Sequence, residues 1–235
     1  MCFCFSACGT SNNNATNNGD EDRIIYSTNF GTKIEDYLGM NDVILDVNVT
    51  ANRPDCMSIV GIAREISALT GQPLKEQDLS YTTVGENVTD YISVDVQDKE
   101  LCPRYMATAI KNVKIEKSPK WLRQRLVAVG IKPINNIVDI TNYVLTEYGQ
   151  PMHAFDYKYL DGKKIVVRRG NQGEEIAVLN QNTYAVDNNM LCICDANKPV
   201  VIAGIIGGLN SCVTNETTST IFEAAAFERS NILSG

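Results

Sequence analysis

Two short stretches hold the side chains with the most chemical potential. In GQPMHAFD, residues 149–156, His153 is the single histidine of 235 residues, placed two residues after Pro151. An imidazole accepts or donates a proton near neutral pH, so His153 could orient a water or take its proton. It could equally cap or bridge its own loop by hydrogen bonding to backbone, and spacing alone leaves both open. In IFEAAAF, residues 221–227, Glu223 interrupts an otherwise apolar run. A carboxylate there is costly to bury without a partner. It either faces solvent by simple alternation or meets a polar group inside.

Several other chemistries find no support. No serine sits between glycines as a G-x-S-x-G nucleophile elbow requires. GIIGGLN lacks the Lys-Ser/Thr pair that would reach phosphate and metal, so ATP chemistry is not expected from these residues. The eight cysteines form no C-x-x-C pair, and a zinc site mixing Cys and His would have to use His153. Cys192-x-Cys194 reads more simply as two same-face residues of a strand. Neither a metal nor any other cofactor is expected in this chain, and reduced thiols in a cytosol are the expectation. No apolar run reaches the ~18 residues of a membrane span.

The net charge is −7, but it is unevenly spread. Residues 20–100 carry 16 acidic against 6 basic side chains, whereas residues 101–132 carry eight basic ones against the single Glu116. Such asymmetry suggests a local anion-facing surface on an acidic protein; a solvated helix face and strand edge would look the same.

The elements that must position these residues follow from periodicity. VILDVNV (43–49) alternates as a half-buried strand, then a turn at Asn52-Arg53-Pro54 leads to a helix with Ile59, Ile62, Ile66 and Leu69 on one face, stopped by Gly71 and Pro73. A polar connector follows at 76–90. YISVDVQ (91–97) and YMATAIKNVKI (105–115) predict strands. Ser118 and Pro119 read as cap and first turn of a helix running to Gly130, and a second helix spans about 135–148. From Lys163 short strands alternate with Gly, Asn and Asp turns: KIVVRR, EEIAVLN, LCICD, PVVIAGI and TIFEAAAF. Helices followed by a run of strands predict an α+β fold: a small N-terminal strand-turn-helix unit, then a mixed α+β domain with a mostly antiparallel sheet. Residues 1–22 read as a disordered or artefactual leader. FSAC before an Asn-rich tether also suggests a lipoprotein-type signal ending at Cys8, but the charged start and apolar core of such a signal are missing.

As a whole the sequence resembles the beta subunit of bacterial-type phenylalanyl-tRNA synthetase. The resemblance rests on LDVNVTANRPDCMSIVGIAREISALTG, CPRYMATAI, GIKPINNIVDITNYVLTEYGQPMHAFD, AGIIGG and NETTSTIFEAAAF, in order over about residues 30–230. It implies a partial N-terminal domain at 23–75, a linker at 76–90 and a tRNA-editing domain of B3/B4 type at 91–235. In that family this domain hydrolyses tyrosine wrongly attached to tRNA-Phe. The resemblance places His153, Lys132, Gly207, Gly208 and Glu223 at the pocket: Glu223 receives the tyrosine hydroxyl, His153 orients water or the ester, and the glycines let backbone approach the aminoacyl group.

It further implies an alpha-subunit partner in a heterotetramer of two alpha and two beta chains, the acceptor end of tRNA-Phe as a second partner, a cytoplasmic location, and ATP with magnesium for the holoenzyme only. Three features depart from the family pattern. Lys132 stands where arginine is frequent, Leu209 stands where an acidic residue is familiar, and the chain stops before a Thr-x-Ala loop that completes the pocket. The sequence therefore reads as a piece of a longer subunit, and weak binding with no editing is expected of it alone. The rival expectation is a catalytically silent module for RNA binding and subunit assembly.

Overall fold

Alternating residues become strands only where a neighbour accepts their backbone groups, and in this protein most of those neighbours are distant in sequence. The computed structural model describes residue 33 and residues 42–234. The expected leader at 1–22 lies outside the described residues. In chain order the elements are helix α1 (Ile59–Thr70), strands β1 (Ser93–Val96) and β2 (Arg104–Lys111), and helices α2 (Lys120–Ala128) and α3 (Asn136–Tyr148). Strands β3 (Met152–Asp156), β4 (Lys164–Arg169), β5 (Glu174–Ala177), β6 (Thr183–Val186), β7 (Leu191–Cys194), β8 (Pro199–Ile202), β9 (Ile206–Gly207) and β10 (Ser219–Ala226) follow, and helix α4 (Arg229–Ser234) comes last.

The strands form a five-stranded sheet, β1-β4-β7-β8-β9, a three-stranded sheet, β2-β10-β3, and a hairpin, β5-β6. Only β1 with β4 is parallel. The α+β class with mostly antiparallel pairing is thus as expected.

Period-two patterning sorts these sheets into layers. Phe155 and Ile221 on one face of the three-stranded sheet pack with Ile165, Val167, Leu191 and Ile193 of the larger sheet. The opposite face of the larger sheet sets Val166, Cys192, Cys194 and Ile202 against Ile176 and Val186 of the hairpin. Cys192 and Cys194 therefore do share one buried strand face. The outer face of the small sheet, through Phe222, Met152 and Ala154, is covered by Ile137 of α3. The order is helix, small sheet, large sheet, hairpin, and the central seam lies between the two sheets.

Four local expectations are corrected. VILDVNV forms no strand: residues 42–50 have no regular structure, and Val43, Ile44 and Leu45 are exposed. Alternation there meets no partner strand among the described residues, and an unpaired strand is not stable in water. Helix α1 does form, capped by Ser58, which accepts from the Gly61 amide at 3.0 Å, and ended by Gly71 at φ 71°. Its expected inward face is largely uncovered, however, with Ile59, Ile66 and Leu69 exposed. GQPMHAFD is not simply a loop, because Met152–Asp156 is strand β3 and pairs with β10. Finally, Ser118 does not cap α2, whose N-cap is Pro119 with no side-chain cap bond.

Ser118 is used instead in a buried polar pin. Its hydroxyl donates to Asp139 Oδ2 at 2.5 Å, and the other Asp139 oxygen accepts from the Ile134 amide at 2.8 Å. Asp139 is fully buried on the first turn of α3, so it fixes the α2–α3 connection that contains Lys132. Asp139→Ala orphans the buried Ser118 hydroxyl, at a cost of about 1–3 kcal/mol, and the part-buried Ile134 amide, at a smaller one. The variant is expected to melt several degrees lower, and Ser118→Ala by a smaller amount, in a thermal unfolding series.

Candidate functional site

Strand β10 is central in its sheet, so Glu223 has a neighbour on each side: His153 of β3 and Ala107 of β2. Directly opposed residues of antiparallel strands point to the same face, with Cβ atoms ~4.5–5.5 Å apart. That face looks into the seam between the sheets, where Glu223 is buried at 5 % exposure. Solvent exposure by alternation, one of the two readings left open above, does not occur. The Glu223 Oε2 accepts a hydrogen bond from the Tyr105 hydroxyl at 2.8 Å. Burial raises the Glu223 carboxyl to about 7, and the Tyr105 bond pulls the other way. The Tyr105 phenol is itself raised well above its usual value by burial and by the adjacent carboxylate.

His153 projects from β3 beside Glu223, and its ring meets Phe155 edge-on at 4.6 Å. Part of the residue's surface is accessible, but its Nε2 is enclosed and has no hydrogen-bond partner among the described residues. The loop-bridging role is therefore not made by that nitrogen. Burial lowers the imidazole to about 4, so it is neutral at neutral pH, with one ring nitrogen free to accept.

Gly207, at the end of β9, closes the group from the opposite sheet. A Cβ there would stand 2.6 Å from His153 Cε1 and 3.1 Å from Leu179 Cδ1. Only a bare backbone lets the imidazole reach the seam. Gly208 is constrained differently, because its Cβ would lie 2.5 Å from the Val200 carbonyl oxygen. The fold itself needs both glycines. Lys132 is exposed in the α2–α3 connection, and no hydrogen bond or ion pair among the described residues ties it to the other four. Glu223, His153 and Gly207 are brought together; Gly208 adjoins them through the chain, and Lys132 is not joined to them.

Tyr105 escaped the sequence reading. A signal for it does exist: strand β2 alternates, so Tyr105 shares a face with Ala107 and Ala109, and a buried phenol needs a polar partner.

The basic run at 101–132 is not one free patch. Lys111 pairs with Glu86 and lies 3.9 Å over the Tyr91 ring, and Lys114 pairs with Glu116 at 3.3 Å. Arg125 donates to the Tyr143 hydroxyl at 2.6 Å beside the exposed Trp121. As for metal, Asp55, Cys56 and Glu65 come close enough to offer ligands, but the Arg53 guanidinium pairs with both carboxylates, each at 2.7 Å. That cation already supplies the positive charge these carboxylates would otherwise seek.

The two buried titrations act on stability with opposite sign. Glu223 holds its proton in the folded state to about 7 against 4.5 unfolded, so its contribution is present below 4.5 and is lost as pH rises through 7. The loss is on the order of 3 kcal/mol. His153 is depressed from 6.5 to about 4, so its contribution is present above 6.5 and is lost as pH falls through 4. In Glu223→Gln only the histidine effect remains. Its melting temperature relative to the parent is expected to rise between roughly pH 5 and pH 8, as thermal melts at the two values would show.

The seam that encloses the carboxylate, the imidazole and the bare glycine backbone lies within residues whose sequence identifies a domain class. Residues 101–234 match the family model described as the B3/4 domain, and the chain belongs to that family. Among curated relatives, it is 46% identical over 207 residues to the phenylalanine--tRNA ligase beta subunit of Clostridium acetobutylicum, a match covering 88% of this chain and 26% of that one. It is 48% identical over 198 residues to the beta subunit of Desulfotalea psychrophila, covering 84% and 24%. The chain thus spans about a quarter of the length of the curated relatives it matches. Among solved structures, an N-terminal fragment of the phenylalanyl-tRNA synthetase beta-subunit from Pyrococcus horikoshii gives a TM-score of 0.46 at 13% identity, covering 86% of this chain and 65% of that one. Among the described residues no helix is long and apolar enough to cross a membrane.

Proposed function

We propose that this chain is the tRNA-editing region of a phenylalanine-tRNA ligase beta subunit, which removes tyrosine from mischarged tRNA-Phe. The organisation proposed with it is a leader at 1–22, part of an N-terminal domain at 23–75, a linker at 76–90 and the editing domain at 91–235. The observation that carries the reading is Glu223, a buried carboxylate facing the inter-sheet seam beside His153. Membership of the B3/4 family and the names of the relatives support it.

The chemistry is ester hydrolysis. Water adds to the aminoacyl carbonyl, the bond to the terminal ribose oxygen breaks, and free tyrosine and the ribose hydroxyl are released. Neutral His153, its protonation suppressed by burial, orients that water once substrate entry opens a path to its enclosed Nε2. Glu223 accepts the tyrosine hydroxyl. A buried group built to bind a hydroxyl discriminates strongly against an analogue without one, because it is then left unpaired. Gly207 leaves room for the aminoacyl group alongside His153.

The partners in this reading are the acceptor end of tRNA-Phe and an alpha subunit, in an assembly of two alpha and two beta chains in the cytoplasm. ATP and magnesium serve aminoacylation by the whole ligase, and no residue of this chain is assigned to either. Phosphate contact is placed on the 101–132 surface, where each neutralised phosphate adds a salt slope of about 0.7 on single strands.

The test is deacylation of Tyr-tRNA-Phe beside Phe-tRNA-Phe, together with binding of non-hydrolysable 3′-amide analogues of tyrosyl- and phenylalanyl-adenosine. Selective binding of the tyrosyl analogue is expected of this chain, and selective cleavage of a whole ligase that carries the same residues. Binding of tRNA without either selectivity, unchanged in His153→Ala and Glu223→Ala, would instead identify a silent RNA-binding and assembly module.

A further inference from the structure

We propose that Tyr105 is the positioning residue of this site: its hydroxyl occupies one oxygen of Glu223, so that the other oxygen alone is presented to an incoming phenol. The proposal rests on the editing reading above and adds to it the residue that makes Glu223 selective.

Tyr105 lies opposite Ala225, two pairs along from the Ala107–Glu223 pair and so on the same face. Diagonal neighbours of a sheet are ~7–8 Å apart, which an aromatic side chain spans. Alanine at both 107 and 225 leaves the ring and the carboxyl room to meet, and they do so at 2.8 Å through Oε2. Among the described residues no hydrogen bond reaches Glu223 Oε1. A carboxylate has two acceptor oxygens and free rotation about its last bond. Anchoring one oxygen stops that rotation and aims the second. The other polar or titratable groups around the carboxyl are His153 on β3 and Cys102 just before β2, whose thiol is raised to about 11 and feels the Glu223 charge. Neither donates a hydrogen bond to it, so Tyr105 is its one fixed donor among the described residues.

Tyr105→Phe removes a single oxygen. We expect the preference for the tyrosyl over the phenylalanyl 3′-amide adenosine analogue to fall about 10- to 100-fold, the range for a hydrogen bond to a charged group, with phenylalanyl binding unchanged. The Glu223 carboxyl, followed by 13C-labelled glutamate NMR with Glu223→Gln as the assignment control, should titrate higher than in the parent, because its one donor is gone. Replacing Tyr105 by a fluorinated tyrosine, a stronger donor of nearly the same shape, should move the titration lower. It also keeps the test available if Tyr105→Phe folds poorly.

A purely structural tyrosine would change the melting temperature and leave both the ratio and the titration in place, and that result overturns the proposal. If the parent chain shows no tyrosyl preference, the editing reading fails instead. The titration shift then still decides whether Tyr105 governs the carboxyl, and an unmoved titration rejects it.

Discussion

Glu223→Ala is expected to lower the ratio of tyrosyl to phenylalanyl ester cleavage by ~10² or more in a whole ligase that carries it, through weaker tyrosyl and tighter phenylalanyl binding. The carboxylate lies in the seam between two sheets, 5 % exposed, with one hydrogen bond from Tyr105. On the editing proposal, a tyrosyl group supplies the hydroxyl that the second oxygen lacks, whereas a phenylalanyl group leaves a buried acceptor unpaired. Removing the carboxyl removes that difference. Stability is a separate effect: a carboxyl raised to about 7 by burial is a folding liability above that pH, and its removal offsets, at alkaline pH, the cavity and the orphaned Tyr105 hydroxyl that the alanine variant leaves. Steady-state deacylation of both esters, run with thermal melts, reads the two effects separately. An unchanged ratio in a folded variant would exclude Glu223 as the reader of the tyrosine hydroxyl.

Gly207→Ala is the second large effect. The added Cβ would stand 2.6 Å from His153 Cε1, a distance that van der Waals contacts do not allow, and 3.1 Å from Leu179 Cδ1. One of the three must move. Because His153 is held on β3 by its pairing with Glu223 and its edge contact with Phe155, the ring is expected to tilt away from the seam by a fraction of an ångström to one ångström. A displacement of that size costs ~10²-fold when it misaligns a reacting group. The overpacking itself costs ~1–3 kcal/mol. Cleavage should therefore collapse in a protein that still folds. Gly208→Ala is the instructive comparison, because its Cβ meets the Val200 carbonyl oxygen at 2.5 Å rather than a side chain. That variant should lose stability first, and activity only as a consequence. Activity retained in Gly207→Ala would mean that His153 has no exacting position.

Much of this was legible in sequence because it depends on local rules. The strands 93–96 and 104–111 follow from alternation, 164–169 from a short run bounded by turn residues, and helix 136–148 from its apolar period. Where local rules misled, a remote partner had decided the matter. Ser118 looked like a cap and became the ligand of Asp139, 21 residues on. VILDVNV reads as a strand and has no strand to join among the described residues. MHAFD looked like part of a loop and was recruited by β10, which lies almost seventy residues later in the chain.

The candidate site divides in the same way. Residue types and order by themselves determined that an unusual histidine, an out-of-place glutamate and a glycine pair existed, and a family resemblance named them together. Only the tertiary structure decided that His153 and Glu223 are cross-strand neighbours, that Gly207 reaches them from the other sheet, that Tyr105 holds the carboxyl, and that Lys132 stands outside on the α2–α3 connection. The physical reason is that side-chain identity and period are properties of adjacent residues. The desolvation that sets these two titrations arises from burial between sheets whose strands come from residues 93 to 226, and no window of sequence contains it.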